Sequence, residues 1–378
     1  MVVERRVEID AARGLMLVWI TFTHLPTILS TYFNQPFGFV SGAEGFIFLS
    51  ALFTGRIYFK VSERQGNRAM VSQLWTRTLR LYLYHVVLLG VAFLGVPILV
   101  AGGNRPGLHN LLDFYFAAPR QAPIDAALLL YRPPLLDILP MYVTFLLVTP
   151  IALLLARKMG WKLILGGGFP LWLLAQFGLR QAAYDFCTRV FGLHIPLNAT
   201  GSFDLFAWQF MWILGLFCGT RWAQDTLPAA NWSRRALVPA LIIVPVLFVL
   251  RYSVGHGIEL GSFEISFDKW HLGGIRLINF AAVAALLIHF QSLIKPLAIR
   301  PLVIMGQASL QVFCAHLLFC FIGLAIMGDA PRVNGWQQAA LVTIALSGMF
   351  LTAKIFSRKL PAAPTTRTAN RPVPQFGD

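Results

Sequence analysis

The chain has 378 residues, of which 57% are hydrophobic and only 12% charged, with a mean hydropathy of +0.66. Soluble domains typically carry about 25% charged residues, so this composition excludes an ordinary soluble protein and predicts an all-α polytopic membrane protein. The formal net charge of +15 does not indicate nucleic-acid binding, because the Lys and Arg residues cluster in short loops between apolar segments, as membrane topology favours.

Ten apolar segments have approximately the length that a helix needs to span a bilayer. They cover about 11–33, 43–59, 81–102, 135–156, 161–178, 205–222, 236–252, 272–293, 302–326 and 336–356. With the N-terminus placed in the cytoplasm, 21 of the 31 Lys and Arg residues fall on the cytoplasmic side and 9 on the opposite side, while Arg13 lies inside the first segment. The sequence therefore predicts about ten transmembrane helices with both termini in the cytoplasm.

The domain organisation predicted from these segments is simple. Residues 1–360 should form a single transmembrane bundle, and the Pro- and Thr-rich stretch 361–378 a disordered cytoplasmic tail. The first apolar segment has no small-residue cleavage site after it and is expected to act as a signal anchor. The four cysteines show no CxxC spacing, so neither a disulfide nor a metal site is predicted.

The first segment carries charged groups where a membrane helix normally has none. Arg13 and His24 are 11 residues apart, which places them on one face of a helix, separated by about 16 Å along its axis. Asp10 lies one turn below Arg13. Ionisable groups at membrane depth usually mark a functional path. The alternatives are a snorkelling arginine and a histidine that only hydrogen-bonds a neighbouring helix.

Two further motifs flank the second and third segments. Glu44, within SGAEGFIFLS (41–50), should lie near the level of His24, where it could orient the imidazole or accept a proton; alternatively it is an interfacial residue near a helix start. Arg77 and Arg80, three residues apart, could form a phosphate clamp on one helix face. For this arginine pair, the sequence alone favours the simpler interpretation, in which both residues only contribute to the positive charge on the cytoplasmic side.

Other polar residues stand out against their apolar surroundings and are candidates for substrate contacts. Asp268 and Lys269 can also be interpreted as a loop ion pair of small energetic consequence. The substrate candidates are Asp137, Tyr142, Trp208, Gln209, Asp268, Arg276 and His316.

The first three motifs together resemble the acyltransferase 3 membrane family. Asp10, Arg13-Gly14-Leu15 and His24 are similar to its first-span motif, FIFLS at 46–50 to its second-span motif, and the arginines of 77–80 to its basic motif. Ala51 stands where that family usually has Gly, a departure that concerns helix packing more than chemistry. Ten spans with both termini inside also match.

Longer blocks are more closely similar to the OpgC branch of that family, whose members succinylate osmoregulated periplasmic glucans. These blocks are SGAEGFIFLS (41–50), YRPPLLDILPMY (131–142), FAWQ (206–209), DKWHLGGIRLINF (268–280) and ASLQVFCAH (308–316). The resemblance implies a multi-pass protein of the bacterial inner membrane that transfers an acyl group to a glycan.

The resemblance also implies roles for the catalytic candidates. His24 would act as general base on a sugar hydroxyl and Glu44 would orient it, with Asp10 as a third catalytic residue. An acyl-histidine intermediate is an open alternative.

The donor would be acyl-CoA, with succinyl-CoA favoured, and no cofactor would stay bound. On the cytoplasmic side, Arg13 would lie along the CoA entry path, with Arg77 and Arg80 as ligands of the CoA phosphates. Arg276 is the candidate cation for the free carboxylate of a succinyl group.

The expected partners are acyl-CoA, a periplasmic glucan, the lipid bilayer, and either glucan synthesis and export machinery or a second copy of the chain. Three other functions stay open: an acyltransferase for a different acyl group or surface glycan, a transporter of an anionic solute, and an accessory scaffold of a glycan-export complex. The absence of an internal sequence repeat counts against the transporter.

Overall fold

The computed structural model describes residues 7–103, 105–227, 229–257, 260–328 and 334–357. The predicted tail 361–378 and both chain termini lie outside these residues. The described part of the chain is almost entirely helical, with one isolated β-bridge between Phe37 and Val40 and no strand. It is an all-α membrane protein, as the composition predicts.

Seventeen α-helices follow one another along the described residues, joined by short connections. They are α1 (Val7–His24), α2 (Leu29–Phe33), α3 (Gly42–Ala101), α4 (Pro106–Leu111), α5 (Asp113–Ala117), α6 (Ala122–Ala127), α7 (Ile138–Met159), α8 (Trp161–Ala175), α9 (Leu179–Phe191), α10 (Leu205–Ala223), α11 (Ala229–Gly255), α12 (Glu264–Phe267), α13 (Gly274–His289), α14 (Gln291–Ile294), α15 (Arg300–Gln307), α16 (Ser309–Met327) and α17 (Gly335–Phe356). Short 3-10 turns lie at Leu197–Thr200, Gly261–Phe263 and Lys295–Leu297.

The helix α3 contains two predicted spans, 43–59 and 81–102, in one element of 60 residues. A straight helix of that length would be about 90 Å long, roughly three times the hydrocarbon thickness of a bilayer. Gly66, with φ 86° and ψ 168°, breaks it into two parts. Glycine suits this position because a positive φ is strained for other residues.

Six described helices are long and apolar enough to cross a membrane, or seven if the bent pair α8 and α9 forms one span. The prediction of about ten spans is therefore not confirmed. The first predicted span, now α1, is not one of these helices because it carries three charged residues, Glu8, Asp10 and Arg13. The span predicted at 302–326 is divided into α15 and α16 at Ala308, and the one at 272–293 contains a helix of only 16 residues.

Glycines allow the helices around α1 and α3 to approach closely. A Cβ added at Gly14 of α1 would meet the backbone of Leu302 in α15, and one added at Gly306 would meet the carbonyl group of Asp10. Gly55 and Gly219 form the same kind of backbone contact between α3 and α10. Small residues at helix contacts are typical of membrane bundles. These contacts fix α1, with its arginine and histidine, against the helices that supply the rest of the site.

Candidate active site

His24 and His316 meet where α1 ends. Nδ1 of His24 lies 3.2 Å from Nε2 of His316, and the two rings stack with their centroids 5.5 Å apart. His316 is fully buried in α16, whereas His24 is half-buried. The sequence identifies both histidines as candidates, but assigns them to different roles and does not pair them.

A hydrogen-bond chain assigns the protons on these two rings. Nδ1 of His316 lies 2.7 Å from the carbonyl oxygen of Phe313, and it must carry a proton to donate to that oxygen. Nε2 of the neutral His316 ring then accepts a hydrogen bond from Nδ1 of His24. This leaves the lone pair of His24 on Nε2, for which the described residues provide no hydrogen-bond partner. A neutral, oriented imidazole with an open Nε2 can accept a proton.

Glu44 hydrogen-bonds to groups other than His24. Its carboxylate accepts hydrogen bonds from the Arg276 guanidinium, with Nε 2.9 Å from Oε1, and from the Ser41 backbone N–H at 3.0 Å. Both members of this ion pair are buried, with 0% exposure for Glu44 and 1% for Arg276. In this arrangement His316 takes the orienting position predicted for Glu44, and the Arg276 guanidinium is already neutralised.

Removing one side of this ion pair should destabilise the fold. We expect Glu44→Ala to lower the free energy of unfolding by about 3–5 kcal/mol, because it leaves a buried guanidinium without its carboxylate. Denaturation of the purified protein in detergent measures the loss. The double variant Glu44→Gln/Arg276→Met should recover part of it, since no charge is then buried. Equal stability of Glu44→Ala and wild type would contradict the proposed structural role of the pair.

A cavity of about 690 Å³ opens on the Arg13 side of the bundle. Its lining includes all three predicted CoA-binding residues, Arg13, Arg77 and Arg80, and no acidic residue among those described. The volume lies within the range of about 300–1,000 Å³ that is usual for small-molecule sites. Three guanidinium groups that line one cavity suit an anionic ligand that carries several charges.

Two of the arginines are held by neighbouring hydroxyl groups. Arg77 donates to the phenol oxygen of Tyr142 at 2.8 Å and to the hydroxyl of Thr54 at 3.3 Å, and Arg13 donates to the hydroxyl of Ser309. Tyr142, predicted as a substrate residue, thus lies in the arginine cavity. The hydroxyl groups of Tyr142 and Thr54 hold the Arg77 guanidinium in place without neutralising its charge.

Phe46 and Phe313 connect the cavity to the histidine pair. Both line the cavity, and their rings stack at a centroid distance of 5.7 Å. The Phe313 ring is 4.8 Å from the His316 ring, and its carbonyl oxygen is the end of the hydrogen-bond chain. An arm extending from the arginines past Phe313 would therefore approach the imidazoles.

Asp10, the third catalytic candidate, lies at the opposite end of α1 from His24. Their separation of 14 positions corresponds to about 21 Å along a helix. Asp10 is 5% exposed, and its carbonyl group faces Gly306. The structure therefore places Asp10 near the Arg13 end and does not bring it to the imidazoles.

The remaining substrate candidates fall into two groups. Trp208 and Gln209 fix the position of α10: the Trp208 indole donates to the Trp270 carbonyl of a loop at 3.1 Å, and the Gln209 amide to the Gly168 carbonyl of α8 at 2.7 Å. Asp137 is buried and accepts a hydrogen bond from the Ser202 backbone N–H at 3.2 Å. It belongs to a cluster of charged residues on the loops near His24.

Asp268, in the same cluster, pairs with His271 and not with Lys269. Its Oδ2 lies 2.6 Å from Nδ1 of His271 and 2.8 Å from the backbone nitrogen of that residue. The hydrogen bond to the Asp268 carboxylate raises the pKa of His271. Burial opposes ionisation of Asp268, but the bonds from His271 outweigh it and hold the pKa of that carboxyl below its usual value. The interpretation of residues 268 and 269 as a loop ion pair is therefore wrong.

The family comparison decides what kind of protein carries this arrangement. The profile of the OpgC protein family matches residues 5–359, which is nearly the whole chain. The chain belongs to the OpgC protein family. No curated protein and no solved structure gives a match to the chain. Membership in the OpgC family implies a function like that of a glucan succinyltransferase, and hence an acyltransferase of the membrane.

In this OpgC protein the structure adds one charged residue to the candidates found in the sequence. Lys269 interacts electrostatically with His24 as well as with Glu44 and Asp137. The sequence provides an indirect clue, because the spacing of Asp268 and His271 lets them pair and leaves the lysine between them without an obvious partner.

Proposed function

We propose that this OpgC protein is an O-acyltransferase that moves a succinyl group from cytoplasmic succinyl-CoA to hydroxyl groups of a periplasmic glucan, with His24 as the general base. The observation that carries the proposal is the position of His24, whose Nε2 is open and whose partner His316 contacts the wall of the arginine cavity. One route thus joins an anion-binding site to a proton acceptor.

The donor binds with its phosphates at Arg13, Arg77 and Arg80, which line the cavity together. Guanidinium groups pair with phosphate oxygens through charge-assisted hydrogen bonds. The pantetheine arm extends along Phe46 and Phe313, and the thioester lies near His24. Apolar walls in this part of the cavity exclude water and so disfavour hydrolysis of the thioester.

The chemistry needs one base and one leaving group. A glucan hydroxyl oxygen attacks the thioester carbonyl carbon while Nε2 of His24 takes the hydroxyl proton. The tetrahedral intermediate collapses, the carbon–sulfur bond breaks, and the CoA thiolate takes the proton back from His24. The products are the O-succinyl ester and CoA, and the neutral imidazole is regenerated. His316 supports each proton transfer by holding the His24 ring with Nδ1 protonated.

The proposed topology follows from the charge distribution. The arginine cavity faces the cytoplasm, where acyl-CoA is made, and the loops around His24 face the periplasm, where the glucan lies. The protein then lies in the inner membrane. The separation of Arg13 and His24 along α1, about 16 Å, covers much of the distance from donor phosphates to acceptor hydroxyl.

Incubating the purified protein with acyl-labelled succinyl-CoA and glucan tests the proposal. We expect label in the glucan, released by mild alkali as an ester should be, and incorporation at least about 100-fold slower when His24→Ala replaces the wild type. In proteoliposomes that contain no glucan, accumulation of free labelled solute would instead identify a transporter. Absence of label from the glucan under all donor conditions would contradict the proposed reaction.

A further inference from the structure

The turn at residues 268–272 is held rigidly by hydrogen bonds. Its carbonyl groups accept hydrogen bonds from three side chains: Trp270 from Trp208, His271 from Gln176 at 2.7 Å, and Leu272 from Trp172 at 2.9 Å. The Trp270 carbonyl also accepts from the Asp204 backbone N–H at 3.0 Å. These four hydrogen bonds and the Asp268–His271 pair fix the backbone of the turn. They therefore give the Lys269 side chain a defined starting position.

Lys269 is the charged side chain of the turn that lies outside the Asp268–His271 pair. Its Nζ lies 4.8 Å from the centroid of the Trp270 ring, and among the described residues it has neither a hydrogen bond nor an ion pair. The residue as a whole is half-buried. Burial lowers the pKa of Lys269, and Arg276 adds to this effect, while Glu44 and Asp137 oppose it.

The other cations around His24 already have partners. Arg276 is paired with Glu44, and Arg132 donates to the Leu129 carbonyl at 2.9 Å. Arg180 donates to the hydroxyl of Thr200 at 2.9 Å and to neighbouring carbonyl groups. Of these four cations, only Lys269 has neither a hydrogen bond nor an ion pair among the described residues.

The turn lies near the proposed reaction centre, because Arg276 donates to the carbonyl of Phe267, next to the turn, at 3.3 Å and pairs with Glu44 of α3. The start of α3 packs in turn against Ile20, one helical turn before His24 in α1. A glucan hydroxyl is neutral, and so is the thioester carbon. The anionic group that comes closest to both is the distal carboxylate of a dicarboxylic acyl chain, two methylene groups from the reacting carbonyl in a succinyl thioester.

We propose that Lys269 is a specificity-determining residue, which binds the free carboxylate of a dicarboxylic acyl group. His24 acts at the other end of that group, where it takes the proton of the hydroxyl that attacks the thioester carbonyl. This inference rests on the proposed acyl transfer and deepens it. It assigns to Lys269 the role that the sequence suggests for Arg276, whose charge Glu44 neutralises.

The test compares two acyl donors that differ only in the terminal group. Succinyl-CoA and butyryl-CoA carry chains of equal length that end in a carboxylate and a methyl group, and both are offered with the same glucan. Lys269→Gln should lower kcat/KM for succinyl-CoA by about 10- to 100-fold, since one charge-assisted hydrogen bond is lost. Transfer from butyryl-CoA, or inhibition by it if turnover is too slow to follow, should be unchanged.

Two further variants complete the design. Lys162→Gln removes an exposed lysine at the start of α8 and should leave the donor preference as in wild type. Lys269→Arg keeps the charge and should keep the preference for succinyl-CoA, whatever its total rate. The ratio of the two kcat/KM values does not depend on the folded fraction, so partial unfolding of a variant does not obscure the result.

Equal losses of kcat/KM with both donors would overturn the proposal. They would show that Lys269 contacts the acceptor or supports the fold and does not bind the acyl carboxylate. An unchanged ratio in Lys269→Gln would overturn it as well. Either result leaves the proposed acyl transfer intact as long as the wild type succinylates glucan. If the wild type transfers neither acyl group, the proposed function fails and this inference fails with it.

Discussion

Replacing His24 with alanine is expected to lower kcat for glucan acylation by about 10²- to 10⁴-fold, the usual contribution of a positioned general base. The loss should appear in kcat and not in donor affinity, because the arginine cavity does not include His24 in its lining. Single-turnover measurements with saturating succinyl-CoA separate the chemical step from binding.

The fold of the His24→Ala variant provides the first control. His24 is half-buried and lies at the end of α1, so its removal should leave the thermal unfolding midpoint in detergent close to that of wild type. His256→Ala is a matched variant, since His256 is exposed and its ring bonds only to the carbonyl of Tyr252 in the preceding helix α11. It should acylate at the wild-type rate.

His316 distinguishes the base from the residue that positions it. His316→Phe keeps a ring of similar size but removes the acceptor for Nδ1–H of His24, so the neutral His24 ring can adopt either tautomer. Its loss of kcat should be smaller than that of His24→Ala. Near-normal acylation by His24→Ala would remove the proposed base, and a larger loss in His316→Phe than in His24→Ala would assign proton transfer to His316.

Removing an arginine from the cavity is expected to weaken CoA binding. Arg77→Ala and Arg13→Ala should each raise the dissociation constant of CoA by about 10- to 100-fold, because each removes charge-assisted hydrogen bonds to phosphate. The effect should be larger at low ionic strength, since salt screens the attraction between exposed charges. Calorimetric titration of the detergent-solubilised protein with CoA measures it.

Arg64 provides a matched control for the cavity arginines. It is exposed, lies in α3 as Arg77 does, and is not part of the cavity lining. Arg64→Ala should leave the dissociation constant nearly unchanged although the net charge falls equally. Unchanged affinity in Arg13→Ala or Arg77→Ala would instead give that arginine a structural or orienting role, through Ser309 or through Tyr142 and Thr54.

The part of the site that lies on one helix can be predicted from sequence, because helix geometry alone sets it. The 11-residue spacing of Arg13 and His24 places both on one face of any α-helix, and the structure forms that helix from Val7 to His24. The turn at 268–272 is also local, and yet the ion pair of Asp268 with Lys269, one of its two interpretations, does not form there. Charge alone suggests that Asp268 pairs with Lys269. The side chains of adjacent residues diverge, however, and His271, three residues further along, reaches the carboxylate.

The span count was harder to predict from hydropathy. A hydropathy pattern locates apolar segments but does not reveal whether two of them continue through a helical loop, as in α3, or whether one is divided, as at Ala308. Such breaks depend on the packing of neighbouring helices, which local composition does not encode.

The sequence by itself determined the membrane class, the family and the arginine-to-histidine axis of α1. Composition, the family match over residues 5–359 and the period of the helix need no information from distant residues. Only the tertiary structure decided that His316, 292 residues away, orients His24, and that Glu44 pairs with Arg276, 232 residues away. Each of these polar groups has several chemically suitable partners in the sequence, and burial selects the one that close helix packing brings within hydrogen-bonding distance.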